Sequence, residues 1–216
     1  MNWGMQWPDR EYPVVLADPP WNFRTYSNKG QGRSVDQHYV TMTRTQIRDL
    51  PVADLRADSS VLLLWVPSQD VDFGIEQVMP SWGFTYKTDA FIWCKTRKHL
   101  DRWIARAFRR WQKGEPIDPL DLLQSCFVMT KGYHTRKQAE ICLLGTTKRV
   151  PPRLDKGVPE LIVGPRREHS RKPDEQYERI ERLYDGPYLE LFARQEWSDQ
   201  WDVWGLETDK FEVDSR

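Results

Sequence analysis

The run Ala17-Asp18-Pro19-Pro20-Trp21 places an acid, two rigid imides and an indole in consecutive positions. Each proline removes a backbone donor and restrains the residue before it to an extended conformation. The turn therefore presents acceptors, the Asp18 carboxylate and the Pro19 carbonyl. Two fixed acceptors beside an aromatic plane suit an exocyclic amino group on a flat ring. They can hold both N–H donors and help the nitrogen pyramidalise, so that its lone pair can attack. Trp21, or another nearby aromatic, can stack on the ring and favour a nearby cation. Positioning and electrostatics then supply the catalysis, and a cofactor carries the hard chemistry. The bland alternative is a proline-rich strand exit with a buried tryptophan. An acid placed directly after an apolar strand weighs against it.

Such a turn needs a strand to carry it. The segment YPVVLA (12–17) is a continuous apolar run of the kind buried on both faces of a parallel sheet. Ligand sites in such sheets lie beyond the carboxyl ends of the strands, where Asp18 falls. Further strands are expected at 61–66, 90–95, 125–130, 140–146, 160–164 and 188–193. Helices are expected at 70–83, stopping near Pro80, and at 172–186. In the second, Pro173 fits the first helical position, Asp174 and Glu175 favour its positive end, and Gly186 ends it. Strands alternating with helices predict an α/β domain with a mostly parallel sheet.

Two segments fall outside that scheme. Residues 24–38 are rich in Gly, Ser, Asn, Gln and charge, and read as either a functional loop or a plain surface loop. In 99–114, Leu100, Trp103, Ile104, Ala107, Phe108 and Trp111 share one helical face, and Arg102, Arg106, Arg109, Arg110 and Lys113 occupy the rest. This helix reads either as core-packed with a solvated basic face, or as nucleic-acid-facing with its arginines on phosphates.

The bulk properties narrow the classes. At 216 residues the chain can bury a large core, and 32 basic against 32 acidic residues leave nucleic-acid binding to a local patch. A mean hydropathy of −0.74, and no apolar run near the roughly 20 residues of a membrane span, point to a protein without membrane segments. The N-terminus has no signal-peptide pattern. Cys94, Cys126 and Cys142 are odd in number and far apart, so neither a zinc site nor a disulfide framework is expected, and a cytoplasmic location is.

The segment ADPPW resembles the signature of the adenine-N6 methyltransferase family that includes the catalytic subunit of the eukaryotic mRNA adenosine methyltransferase and stand-alone bacterial and phage enzymes. HYVTMTRTQIRDLPV with VLLLWVPS, WGFTYKTDAFIWCK, KQAEICLLGTTK, REHSRKPDEQYERIERL and LELFAR extend the resemblance in order and spacing over about residues 12–207. It implies a Rossmann-like methyltransferase fold dependent on S-adenosylmethionine (SAM), with the catalytic motif early and the SAM motif late. It also implies a single domain over 1–216, a target loop at about 22–40 and a basic helical insertion at about 97–124.

Residue by residue, the resemblance implies that Asp18 and Pro19 hold the adenine N6 amine while Pro20 and Trp21 shape the pocket and stack the base. Ala17 and Asp18 would border SAM. Lys172 would meet its carboxylate or nearby polar groups, Arg194 its ribose or carboxylate side, and Glu207 its ribose hydroxyls. Tyr39 would lie near the substrate. The segment at about 97–124 departs from the resemblance, being longer than in the eukaryotic catalytic subunit, and is read separately as a substrate-binding device whose Arg102, Arg106, Arg109 and Arg110 meet the nucleic acid. Without the resemblance, Lys172 and Arg194 read equally well as surface charges. Leu206 stands where many relatives carry Asn, and QEW follows LFAR where the eukaryotic enzyme has a histidine and an asparagine.

The implied activity is SAM-dependent methylation of adenine N6 in DNA, the target base being flipped out of a duplex. RNA is the alternative substrate. Cytosine-N4 methylation is a neighbouring reading, against which Trp21 argues. A catalytically silent nucleic-acid-binding subunit is another, against which the intact Asp18-Pro19-Pro20-Trp21 argues. No membrane partner or metal is expected, and a homodimer is suggested by analogy alone.

Overall fold

A computed structural model describes residues 6–22, 41–130, 132–168 and 170–212. Tyr39 and the loop at 24–38 lie outside the described residues. The centre is a seven-stranded sheet in the order β5-β3-β4-β2-β1-β6-β7. Its strands are β1 (Tyr12–Ala17), β2 (Arg56–Val66), β3 (Thr85–Thr96), β4 (Ala139–Thr146), β5 (Leu161–Pro165), β6 (Tyr188–Leu191) and β7 (Trp201–Trp204). β1 pairs in parallel with both β2 and β6, and β3–β5 and β6–β7 are also parallel. β4 alone runs against its neighbours β2 and β3. Six strands therefore end at one edge, and the start of β4 joins them there.

β1 lies at the point where the chain order reverses, with β2 on one side and β6 on the other, which is where open α/β sheets bind ligands. Its residues alternate between two cores. Val15 and Ala17 pack with Leu62, Leu64 and Trp82, while Val14 and Leu16 pack with Leu63, Trp65, Tyr177 and Ile180. This double burial explains the unbroken apolar run.

Short helices connect the strands. α1 (Arg44–Arg48) begins in a capping box between Thr43 and Gln46. The predicted 70–83 helix is α2 (Val71–Phe73) and α3 (Met79–Ser81), joined by a π-helical turn at Gly74–Val78. Pro80 is accommodated there because the last turn begins one residue earlier. α4 (Leu100–Gln112) and α5 (Pro119–Ser125) fill the connection from β3 to β4. α6 (Glu175–Leu183) is shorter than the 172–186 expected: Pro173 and Gly186 lie outside it, and Tyr184 is its extended C-cap.

The segment 125–130 is not a strand. Asp118 accepts hydrogen bonds from the Leu120 and Asp121 amides and Pro119 opens the helix, so the first residue of the segment closes α5. Phe127 and Thr130 make only isolated bridges. β7 is absent from the expected strands because its four residues, Trp-Asp-Val-Trp, carry no extended apolar run.

The core-packed reading of the basic helix also fails. Of its apolar face only Ala107 is buried, while Ile104, Phe108 and Trp111 are 46%, 53% and 59% exposed. Among the described residues, no second layer covers the distal half of α4. Among them, too, no helix is long and apolar enough to cross a membrane, and no cluster of His, Cys, Asp or Glu could hold a metal.

Candidate active site

Asp18 leaves β1 at the carboxyl edge with its amide donating to Leu191 O on β6 at 3.4 Å. The Pro-Pro turn then closes tightly, the Trp21 amide donating to Pro19 O at 2.8 Å and the Met42 amide to Pro20 O at 2.8 Å. The Pro19 carbonyl thus keeps one lone pair for a ligand rather than two. Trp21 is 3% exposed, and its indole N–H donates to Trp65 O at 3.1 Å. It forms the wall behind Asp18. Its indole belongs to the core cluster with Ala17, Met42 and Leu64.

The Asp18 carboxylate is not alone. Lys172 Nζ, just ahead of α6, donates to it at 2.5 Å and lies 3.5 Å from Glu140 at the start of β4. Glu140 is also bonded to Lys95 near the end of β3. The result is an alternating row, Asp18–Lys172–Glu140–Lys95, built from four segments that meet at one edge. Burial pushes the Asp18 carboxyl up, and Lys172 opposes that shift. Burial also acts to raise Glu140, but Lys172 and Lys95 together outweigh it and hold that carboxyl below its ordinary value. Lys172 further sits 5.4 Å above the Trp65 ring, whose N–H is fixed by Gln176 Oε1 at 2.7 Å.

A second buried acid, Glu190 on β6, accepts the Tyr177 hydroxyl hydrogen bond at 2.9 to 3.0 Å. Burial drives the Glu190 carboxyl to about 8, against the lowering effect of that bond. Beyond β6, Arg194 donates to Glu207 through Nε at 2.9 Å and Nη2 at 2.6 Å. Gly205 permits this approach: a Cβ there would meet Ala193 O at 2.4 Å.

Of these groups, Asp18, Lys172, Gln176, Tyr177, Glu190 and Arg194 line one cavity, together with Ser170, Arg171, Gln195 and Phe211. Ser170 and Phe192, both on its wall, are the non-glycine residues with positive φ among those described, at 62° and 65°. Backbone strain of this kind concentrates where surrounding structure holds a site in shape. Phe211 lies on the cavity wall with the Arg171 and Arg194 guanidinium groups 5.0 and 5.2 Å from its ring centre. The space left is about 20 Å³.

The structure thus brings together Ala17, Asp18, Lys172, Arg194 and Glu207, and builds the turn from Pro19, Pro20 and Trp21. Arg102, Arg106, Arg109 and Arg110 are exposed in the β3-to-β4 connection, the insertion that leaves the same edge. Sequence reasoning missed Glu140, Lys95, Glu190, Tyr177, Gln176 and Phe211. A lone acid inside the apolar strand YLELFA, and another opening EICLLGT, were the available signals.

An acidic acceptor on a rigid turn at the switch point of a mostly parallel sheet, beside a polar cavity fed by the late strands, defines a Rossmann-like methyltransferase site with permuted motif order. The MT-A70 family model matches residues 12–207, and the chain belongs to that family. It is 27% identical to the Type II methyltransferase M.MunI of a Mycoplasma species, over 94% of this chain and 80% of the relative. It is 30% identical to the human N(6)-adenosine-methyltransferase catalytic subunit METTL3 and 29% to an Arabidopsis thaliana MT-A70-like N(6)-adenosine-methyltransferase, each over 85% of this chain. The chain spans 26% and 22% of those two longer relatives.

Proposed function

We propose that this chain transfers a methyl group from SAM to the exocyclic N6 of adenine in DNA. The observation that carries the reading is Asp18, fixed by the Pro-Pro turn at the switch point with its carboxylate against Lys172. DNA is the first reading because a relative matched over 80% of its own length is a Type II methyltransferase and not an N(6)-adenosine-methyltransferase. RNA is the second reading, supported by the N(6)-adenosine-methyltransferase relatives.

The cavity residues fit SAM. Gln195 Oε1 and Arg171 Nε are buried without a hydrogen-bond partner. A carboxyl at about 8 and an arginine–carboxylate pair complete a lining suited to a ligand with separate charges. Ala17 and Asp18 would border it. Lys172 would take its carboxylate, and Arg194 and Glu207 its ribose side. Bound there, SAM supplies an electrophilic methyl group.

The protein's own part is positional. Asp18 and the free lone pair of the Pro19 carbonyl accept the two N6 hydrogens and aim the nitrogen lone pair at the methyl group. Pro20 and Trp21 hold that turn rigid. Attack leaves an extra proton on N6. Asp18 Oδ, made more basic by burial, takes it. Lys172 keeps Asp18 ionised beforehand and retains Glu140 when Asp18 turns to the amine. The family resemblance assigns Tyr39 to the substrate side, and the exposed Arg102, Arg106, Arg109 and Arg110 would meet the nucleic-acid backbone. The whole chain acts as one methyltransferase domain, with 22–40 as target loop and 97–124 as insertion. A cytoplasmic location accords with three free thiols.

The test is labelled methyl transfer from SAM to single-stranded DNA, duplex DNA and RNA, with products identified as nucleosides by mass spectrometry. N6-methyldeoxyadenosine is expected, and Asp18→Ala should lower its rate about a hundredfold to thousandfold. N6-methyladenosine alone would move the substrate to RNA. Absence of both product and SAM binding would favour the silent nucleic-acid-binding subunit.

A further inference from the structure

The connection leaving β3 forms a basic groove outside the site just described. Arg97, Lys98, His99, Arg102, Trp103 and Arg106 line an open concavity of about 350 Å³. Arg97 is held rather than free. Its Nε donates to Ser125 O at 2.7 Å, and its guanidinium lies 4.3 Å above the Trp103 ring. Trp103 is itself anchored, its indole N–H donating to Ser125 Oγ at 2.9 Å. The end of α5 therefore clamps both groups. Among the described residues, no carboxylate answers Lys98, Arg102 or Arg106.

We propose that this groove holds a phosphodiester of the target DNA strand beside the adenosine that is methylated. The assignment rests on the functional reading above, and it adds Arg97, Lys98, His99 and Trp103 to the groups that meet the substrate. Position carries it. Trp93, Lys95 and Arg97 alternate onto one side of the extended chain, Lys95 lying 4.8 Å above the Trp93 ring. The backbone stays extended through Arg97, whose amide donates to Cys126 O while Val128 N donates to Lys95 O. Lys95 ends the row that reaches Asp18 through Glu140 and Lys172. Arg97 is thus one side-chain repeat, about 7 Å, further out along the same line. A strand whose adenine enters the Asp18 site lays its next phosphate toward that point.

Chemistry agrees with position. With Nε given to Ser125 O, the Arg97 guanidinium stacked on the indole still offers its Nη groups, and their planar arrangement fits phosphate oxygens. Arg109 and Arg110 do not line the groove, and Arg110 is engaged with Glu115 at 2.6 Å. The basic face of α4 therefore divides into a half that lines the groove and a distal half that does not.

The experiment compares the full-length protein with an Arg97→Gln, Lys98→Gln, Arg102→Gln, Arg106→Gln variant. Binding of fluorescent single-stranded DNA, duplex DNA and RNA oligonucleotides is followed across a salt series. The slope of log affinity against log salt should fall by about one for each phosphate that is no longer neutralised. SAM affinity and Tm should stay at wild-type values, showing that the fold and cofactor pocket survive. On DNA of the sequence found methylated, a neutral methylphosphonate next to the target adenine should weaken wild-type binding. It should weaken the variant no further.

Unchanged DNA affinity and slope in the variant, or an equal methylphosphonate penalty in both proteins, would overturn the groove alone. A weakening seen only with RNA would overturn the DNA assignment. A wild-type protein that binds SAM but methylates no adenine would instead remove the functional reading, and the groove proposal with it.

Discussion

Lys172 and Arg102 are both cations near the carboxyl edge of the sheet, yet they are set in opposite ways. The Lys172 side chain is 11% exposed and meets two carboxylates. Arg102 is exposed in an open groove with no carboxylate among the described residues beside it. A buried charge has to be answered inside the protein, because its desolvation cost is otherwise uncompensated. An exposed one is hydrated until a ligand takes the water's place. The difference separates two duties. The buried row fixes geometry and protonation at the reacting atoms, and its members cannot change without the fold feeling it. The groove sets affinity and can be altered with little consequence for the rest of the molecule.

The strongest way to break this contrast is Lys172→Met. It leaves the buried Asp18 carboxylate without its cation and Glu140 with Lys95 alone. Breaking a fully buried pair costs roughly 3–5 kcal/mol, and the solvent access of Glu140 reduces that to about 2 kcal/mol here. Thermal unfolding should show a Tm lower by about 4–8 °C. An unchanged Tm would mean that the row is not structurally coupled.

A smaller effect is expected from Glu190→Gln, visible only as a pH dependence. The Glu190 carboxyl stands at about 8 in the fold against 4.5 ordinarily, so the folded protein holds its proton more tightly. Its contribution to stability is therefore complete below about pH 4.5 and is lost as pH rises toward about 8. In the cofactor-free protein, Tm of wild type and variant should agree at low pH. The variant should become the more stable of the two on the alkaline side. Parallel Tm profiles would show that Glu190 does not titrate in that window.

The smallest effect belongs to Arg109→Gln with Arg110→Gln. Both residues are exposed, so Tm should move by no more than about 1–2 °C. Their replacement should lower the DNA salt slope less than the groove substitutions do. If the distal pair dominated the slope instead, the division of α4 into a groove-lining and a distal half would fail.

Much of the site was readable because its central feature is local. An apolar strand followed by Asp18-Pro19-Pro20 states both its own position at a sheet edge and its acceptor character. The family resemblance sent Arg194 and Glu207 each toward the cofactor's ribose side, but their pairing was not readable, since nothing in either residue's surroundings announces a partner 13 positions away. Glu140 and Glu190 escaped because an acid in a strand gains its meaning from what faces it across the sheet. The exposed flank of α4 escaped for a related reason: periodicity reveals that a helix has an apolar face, not whether anything covers it. α5 was the avoidable miss, since Asp118-Pro119 is a complete start signal.

Phe211, lying across the Arg171 and Arg194 guanidinium groups, has a consequence for timing. The roughly 20 Å³ it borders admits a water molecule and nothing the size of a nucleoside. Where ligand entry waits for the ring to swing away, association is gated. Under a large ligand excess the observed association rate levels off at the ring's own opening rate, and the plot of rate against concentration bends to a plateau. Removing the aromatic ring would restore a straight line.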